Sequence, residues 1–278
     1  MSSAQIPTFV IGGYLGAGKT TFINAFLATG TPNVAVVVND FGEVNIDAAL
    51  ISERHADTIE LTNGCVCCAV GQSLADTLYT LLDRPHLPAM ILIEASGVAD
   101  PSNVAAYTHI AGLAPAGVLV LVDAREVKRT HANPLLRTTI ERQLRSANLL
   151  AITKHEIATS GELADAQTLI TTLAPTTTAI TVDTDVLAHL MASDDSATPR
   201  ESGEPHDRFS TTLHHFTSPP SQDELVQFLS GLSPSVVRAK GIVMASDGSS
   251  VLVQKTGQHF TITPTTLPPT GIVVISAD

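Results

Sequence analysis

The chain has 278 residues, 44% of them hydrophobic and 4% aromatic without a single tryptophan, and carries a formal net charge of −12 at pH 7. That length holds one large domain and a smaller one, each with room for a core. The acidic balance and the scarcity of rings argue against a nucleic-acid partner, which needs cationic grooves and stacking platforms.

Short apolar runs recur from the start. Segments 8–11, 34–38, 58–61, 89–93, 117–122, 149–152 and 178–181 read as strands, most of them continuously apolar. Such runs suit strands covered on both faces. Helical patterns lie between them at 20–28, 73–82 and 161–173, with Gly30 close after the first as a stop signal. Strand–helix alternation predicts an α/β domain built on a doubly wound, mostly parallel sheet over residues 1–192. Residues 193–208 turn to Ser, Asp, Pro, Glu and Gly and read as a linker. Residues 209–278 then form a smaller α+β module. Its predicted elements are a strand at 209–216, a helix opening near Ser221 with Asp223 and Glu224 in its first turn, and strands at 241–245 and 251–255 joined through Asp247-Gly248. Strands at 257–263 and 271–276 complete it.

No apolar run approaches the ~20 residues that a bilayer span needs, and no cationic segment followed by an apolar stretch opens the sequence. A cytoplasmic protein with reduced thiols and no membrane partner is expected. Arg125, Lys128, Arg129, Arg137, Arg142 and Arg145 are six of the fifteen Lys and Arg. They read as a solvated helix face, with a docking patch for an acidic partner as the alternative.

Gly13-Tyr-Leu-Gly-Ala-Gly18-Lys19-Thr20 fits G-x-x-x-x-G-K-[ST] and sits between a predicted strand and a predicted helix, the context that gives the motif meaning. Gly13, Gly16, Ala17, Gly18 and Thr21 would wrap a phosphate in backbone N–H groups beside a helix N-terminus. Lys19 would reach the β- and γ-phosphates, and the Thr20 hydroxyl would bind Mg²⁺. Glu94 directly follows the strand at 89–93, where Mg²⁺ or its water is held, and Gly97 comes after it with an N–H placed to sense a γ-phosphate. Thr153, Lys154, His155 and Glu156 follow the strand at 149–152. A carboxylate there would accept the paired N–H donors of guanine, which adenine lacks, while the lysine stem covers the base; a plain polar loop is the alternative.

All three cysteines lie in Cys65-Val66-Cys67-Cys68. Thiolates packed this closely suit Zn²⁺ or Cu(I), and three of them leave a fourth position open. Two thiolates plus Glu43, a buried thiol cluster and a Cys65–Cys68 redox pair are the other readings.

These pieces, in this order, resemble the CobW-type GTPases, relatives of the UreG and HypB nickel-insertion GTPases. The residues that carry the resemblance are the phosphate loop, Val38-Asn-Asp-Phe-Gly-Glu-Val-Asn-Ile-Asp47, Asn63-Gly-Cys-Val-Cys-Cys68, Glu94-Ala-Ser-Gly-Val-Ala-Asp-Pro101 and Val237-Arg-Ala-Lys-Gly241. The resemblance implies a P-loop NTPase fold with a CobW-type C-terminal domain. It also implies a GTP-hydrolysing metallochaperone that carries zinc, with Co²⁺ or Ni²⁺ as other cargo, to a metal-requiring client. Lys19, Thr20 and Glu94 would carry the catalysis, and Cys65, Cys67, Cys68 and Glu43 the transition metal. Segment 39–47 resembles the family's first switch, so metal and nucleotide would share one element. An accessory GTPase for cobalt or nickel insertion or cobalamin assembly, and a non-catalytic zinc buffer, are the competing functions. A homodimer is left open. The chain departs from the family pattern at Val38, where an acid is common, and at Glu156, where the guanine-reading acid is one methylene longer than Asp. A His-rich tract is missing, with only His206, His214 and His215 in that part of the chain.

Overall fold

The structure is a computed structural model that describes residues 5–31, 33–38, 58–60, 69–182, 186, 209–256, 259–266 and 269–277. Its first layer is a seven-stranded sheet. The strands are β1 (Ile6–Gly12), β2 (Val34–Val38), β3 (Thr58–Glu60), β4 (Met90–Glu94), β5 (Leu113–Asp123), β6 (Leu149–Thr153) and β7 (Thr178–Thr181). They run in the order β3-β2-β4-β1-β5-β6-β7, and every neighbouring pair is parallel. Parallel pairing forces a crossover after each strand, and helices fill the crossovers described: α1 (Lys19–Ala28), α2 (Ala69–Leu82), α3 (Pro101–Ala105), α4 (Val127–Ala132), α5 (Arg137–Ser146) and α6 (Ser160–Leu173).

The continuous apolar runs of the strands have a direct physical reading. In β1, Phe9, Val10 and Ile11 are all fully buried, and the pleat sends them to opposite sides. Val10 joins the core under Leu74, Leu78 and Leu81 of α2 and Ile140 and Leu144 of α5. Phe9 and Ile11 join the core under Phe22, Ile23 and Leu27 of α1. Both faces are therefore dry, as the sequence pattern requires.

The second layer is an antiparallel sheet of β8 (Phe209–His214), β9 (Val236–Met244), β10 (Ser250–Thr256), β11 (His259–Pro264) and β12 (Gly271–Ala277), ordered β11-β10-β9-β12-β8. Helix α7 (Gln222–Gly231) lies on one face of it, with Leu225 and Leu229 over Ala239, Val243, Val253, Ile272 and Val274. Ser221 caps this helix and Thr159 caps α6, each in a reciprocal box with a glutamate three residues on. The opposite face of the sheet packs Val237, Val273, Ile275 and Ala277 against Leu15 and Leu136 of the first layer. Asp247-Gly248 makes the expected tight turn between β9 and β10, with Gly248 at φ 83°.

Differences from the predicted boundaries have local causes. β5 starts four residues earlier than expected, because the pairing with β1 slips between Thr8 and Phe9 and so takes Pro115 into the strand. β4 runs one residue further and makes Glu94 its last member. β9 begins at Val236 rather than at 241, because its polar residues Arg238 and Lys240 face the first layer instead of a dry core. The proposed linker at 193–208 lies outside the described residues. No helix among the described residues is long and apolar enough to cross a membrane.

Candidate nucleotide site

The carboxyl ends of β1, β4, β5 and β6 converge beside the N-terminus of α1. In open parallel sheets ligands bind at this edge, where successive connections leave in opposite directions. The turn after β1 needs backbone that side chains resist: Gly13, Gly16 and Gly18 have φ of 132°, 79° and 94°. At Gly13 space is excluded as well, since a Cβ would stand 2.5 Å from the Leu121 carbonyl oxygen. The loop closes on itself through Ala17 N–H donating to the Tyr14 carbonyl at 3.0 Å. Lys19 is buried and its ammonium donates to the Gly13 carbonyl at 2.9 Å, bridging the mouth of the loop.

The Thr20 hydroxyl donates to Glu94 Oε1 at 3.0 Å, so the loop and the end of β4 meet. Glu94 is only 3% exposed. A hydroxyl and a carboxylate side by side, next to a phosphate-binding loop, are the donor set Mg²⁺ favours: hard oxygens, with substrate phosphates and water for the rest. Gly97 lies over the same loop, and a Cβ on it would stand 2.9 Å from the Leu15 backbone nitrogen and 2.4 Å from its side chain. Gln143 of α5 fixes the turn by donating to the Gly97 and Ala99 carbonyls, both at 3.0 Å.

The 153–156 loop borders the site from the other side. The Thr153 hydroxyl donates to the Ala17 carbonyl at 2.9 Å, stitching β6 to the phosphate loop. Lys154 adopts a left-handed backbone, φ 56°, and its ammonium reaches Asp123 at the end of β5 at 2.5 Å. A mostly apolar cavity of about 450 Å³ lies beneath, walled by Phe22, Phe26, Ile157 and Val182 with Thr153, Lys154 and Glu156 at its polar edge. Its size and lining suit a flat heterocycle. Glu156 is well exposed at 67% of its side chain.

A second cavity, about 690 Å³, opens on the phosphate side, where Gly16, Gly18, Lys19, Thr20, Thr21 and Glu94 face Arg238, Lys240, Leu252 and Gln254 of the C-terminal sheet. The sequence reading assigned these last four residues no part in the site. It also missed Asp123 and Gln143. Asp123 could have been found by the rule that located Glu94, an acid at the carboxyl end of an apolar strand.

Cys65, Cys67, Cys68, Glu43 and segment 39–47 lie outside the described residues. Among the described residues no group of three or more His, Cys, Asp and Glu could hold a metal. His214 is used in packing, stacked on Phe228 at 4.4 Å and edge-on to Phe216 at 4.9 Å. The basic cluster is largely neutralised in place: Lys128 pairs with Asp165, Arg129 with Glu126 and Arg145 with Glu141, and Arg142 is buried. Those contacts favour the solvated-face reading over a docking patch for Lys128, Arg129 and Arg145.

Residues 7–181 match the family model for the CobW/HypB/UreG nucleotide-binding domain. The zinc chaperone CobW of a Sinorhizobium species is 38% identical over 112 residues, 38% of this chain and 32% of that protein. The zinc chaperone YjiA of Escherichia coli K12 is 33% identical over 169 residues, 56% of this chain and 52% of that protein. The chain thus spans between about a third and a half of the length of these two relatives. The solved structure of the Zn(II)-bound YjiA GTPase from E. coli aligns over 99% of this chain and 95% of its own, at 19% identity and a TM-score of 0.47. With 175 consecutive residues matched, from β1 through β7, the chain belongs to the CobW/HypB/UreG family of P-loop GTPases.

Proposed function

We propose that this protein binds and hydrolyses GTP and carries a transition metal, zinc first, to a metal-requiring client protein. The observation that carries the first half is the Thr20–Glu94 contact at 3.0 Å beside Lys19 on a phosphate loop. The cargo is inferred from the relatives' names, zinc chaperones, together with the Cys65-Val66-Cys67-Cys68 cluster of this sequence.

In this reading the loop amides from Gly13 to Thr21 cradle the phosphates, and Lys19 leaves the Gly13 carbonyl for the β- and γ-phosphate oxygens. Thr20 and Glu94 would hold Mg²⁺, which would supply positive charge to the phosphates. The Gly97 N–H faces the terminal phosphate, and the Gln143 hydrogen bonds keep that turn in place. Water attacks the γ-phosphorus, the bond to the β–γ bridging oxygen breaks with its electron pair passing to GDP, and the water's proton ends on the inorganic phosphate or in solvent. Glu156 accepts the guanine N–H pair at the edge of the apolar cavity, with Lys154 held across it by Asp123. The cysteines and Glu43 hold the metal, and the segment bearing Glu43 links the two sites.

The base reading is tested by displacing a fluorescent GDP analogue with GTP and with ATP. GTP should compete at least tenfold better, about 1.4 kcal/mol, and Glu156→Gln should erase most of the difference. Equal competition by GTP and ATP against the wild-type protein contradicts it.

A further inference from the structure

The C-terminal sheet covers part of the phosphate loop, at Leu15, while Gly16 beside it stays exposed. Leu15, at the loop's apex, is only 3% exposed and packs on Val273 and Ile275 of β12. One residue on, a Cβ at Gly16 would stand 2.8 Å from the Thr256 hydroxyl of β10. These two contacts fix which face of the antiparallel sheet looks at the loop.

Register then fixes what else lies on that face. Arg238 is directly opposite Thr256, and Lys240 directly opposite Gln254. On the other side of β9, Arg238 is opposite Ile275 and Lys240 opposite Val273. Residues directly opposite in adjacent strands share a face. Arg238 and Lys240 therefore share the face that packs on Leu15 and Gly16, and they line the phosphate-side cavity with Lys19, Thr20 and Glu94. The apolar cavity under the 153–156 loop has neither of them in its wall.

Charge agrees with placement. Among the described residues, Lys19, Arg238 and Lys240 against Glu94, with Lys154 paired to Asp123, leave this cavity with a cationic lining, in a chain whose net charge is −12. Lys240 is only 6% exposed and lines the cavity rather than reaching bulk solvent. The ligand that matches three such cations, one carboxylate and a Mg²⁺-type donor pair is a nucleoside triphosphate with its cation. A diphosphate has less charge to offer.

We propose that Arg238 and Lys240 bind the terminal phosphate of the nucleotide held by the phosphate loop, so that a triphosphate is gripped by both layers of the molecule. The proposal rests on the nucleotide reading above and adds that discrimination between triphosphate and diphosphate comes from the C-terminal sheet. Two charge-assisted contacts to one phosphate are strong and directional, and the guanidinium can take two oxygens at once.

The test is calorimetric titration of the full chain with Mg²⁺ and either a non-hydrolysable GTP analogue or GDP, in the wild type, R238Q, K240M and the double variant. Methionine keeps the buried stem of Lys240 and removes its charge. Affinity of the double variant for the triphosphate should fall about 10- to 100-fold while that for GDP changes less than about threefold, and the GTP-to-ATP ratio should stay as in the wild type. Unchanged triphosphate affinity, or an equal fall for triphosphate and diphosphate, overturns the proposal. Arg238 is only partly buried, so R238Q alone gives the same decision if K240M does not fold, with a smaller triphosphate-selective fall expected. A wild-type protein that binds neither nucleotide sinks the nucleotide reading itself, a result distinct from the loss of triphosphate preference.

Discussion

Lys19→Ala is expected to abolish measurable GTP hydrolysis, a fall on the order of 10²–10³ or more, and to weaken GTP binding while leaving the fold intact. The reasoning starts from the loop itself. Its shape comes from three left-handed glycines, the Ala17–Tyr14 hydrogen bond and the Thr153–Ala17 stitch, none of which needs the lysine. The ammonium lies buried at the mouth of the loop, 2.9 Å from the Gly13 carbonyl, so it is prepositioned and loses little freedom on moving to phosphate. Preorganised charge in a site with little water is where electrostatic stabilisation is largest. Phosphate release under single-turnover conditions, read alongside a thermal melt, separates lost chemistry from lost structure. A variant that hydrolyses within about tenfold of the wild type would show that this loop does not do the work assigned to it.

Glu94→Gln should cost hydrolysis far more than stability. Glutamine can still accept the Thr20 hydroxyl at the 3.0 Å contact, so the local geometry survives. What disappears is a carboxylate charge that is 97% buried at the end of β4. Among the described residues, Glu94 is the one carboxylate beside the cations that line this cavity. Losing its charge should therefore leave the melting temperature of the nucleotide-free protein unchanged or lower it, at about 2–4 °C per kcal/mol for a domain of this size. Hydrolysis should fall by about 10²-fold, and its dependence on Mg²⁺ concentration should shift upward, because one hard anionic donor is gone. Measured kcat across a Mg²⁺ titration, with melting curves in EDTA, tests both halves. A drop in stability together with unaltered Mg²⁺ dependence would make Glu94 a structural residue.

The two residues also mark what the sequence makes legible. Glu94 is read from a rule that links an acid to the end of a buried strand, and Lys19 from a spacing that few other structures explain. The apolar runs of β1, β4, β5 and β6 carry a period that only two-sided burial produces, so the parallel sheet follows from them. Arg238 and Lys240 show where such rules stop. Polar residues inside a strand weaken a period-based reading, and so β9 was expected to start after them. They are in the strand because its exposed face is no solvent face: it closes over the phosphate loop of a segment more than two hundred residues earlier. Nothing within a window of ten residues encodes that meeting. Gln143 is hidden for the same reason, since its two acceptors lie 46 and 44 residues away in sequence. Leu15 is a milder case. It sits at a position of the phosphate-loop pattern where any residue is allowed, and only the sheet packed above it explains an apolar one.

The proposed nucleotide site lies between two layers, and the cysteines proposed to bind metal follow a segment that resembles a switch in the same part of the sequence. If the protein is a nucleotide-operated metal carrier, the two ligands must bias each other's binding, because linkage requires the effect to be reciprocal. Zinc affinity measured against a chromophoric chelator, once with Mg²⁺ and GDP and once with Mg²⁺ and a non-hydrolysable GTP analogue, puts this to the test. The account predicts affinities that differ by about 5- to 100-fold between the two nucleotide states, and loss of zinc binding when Cys65, Cys67 and Cys68 are replaced together; identical zinc affinity in the two states would contradict it.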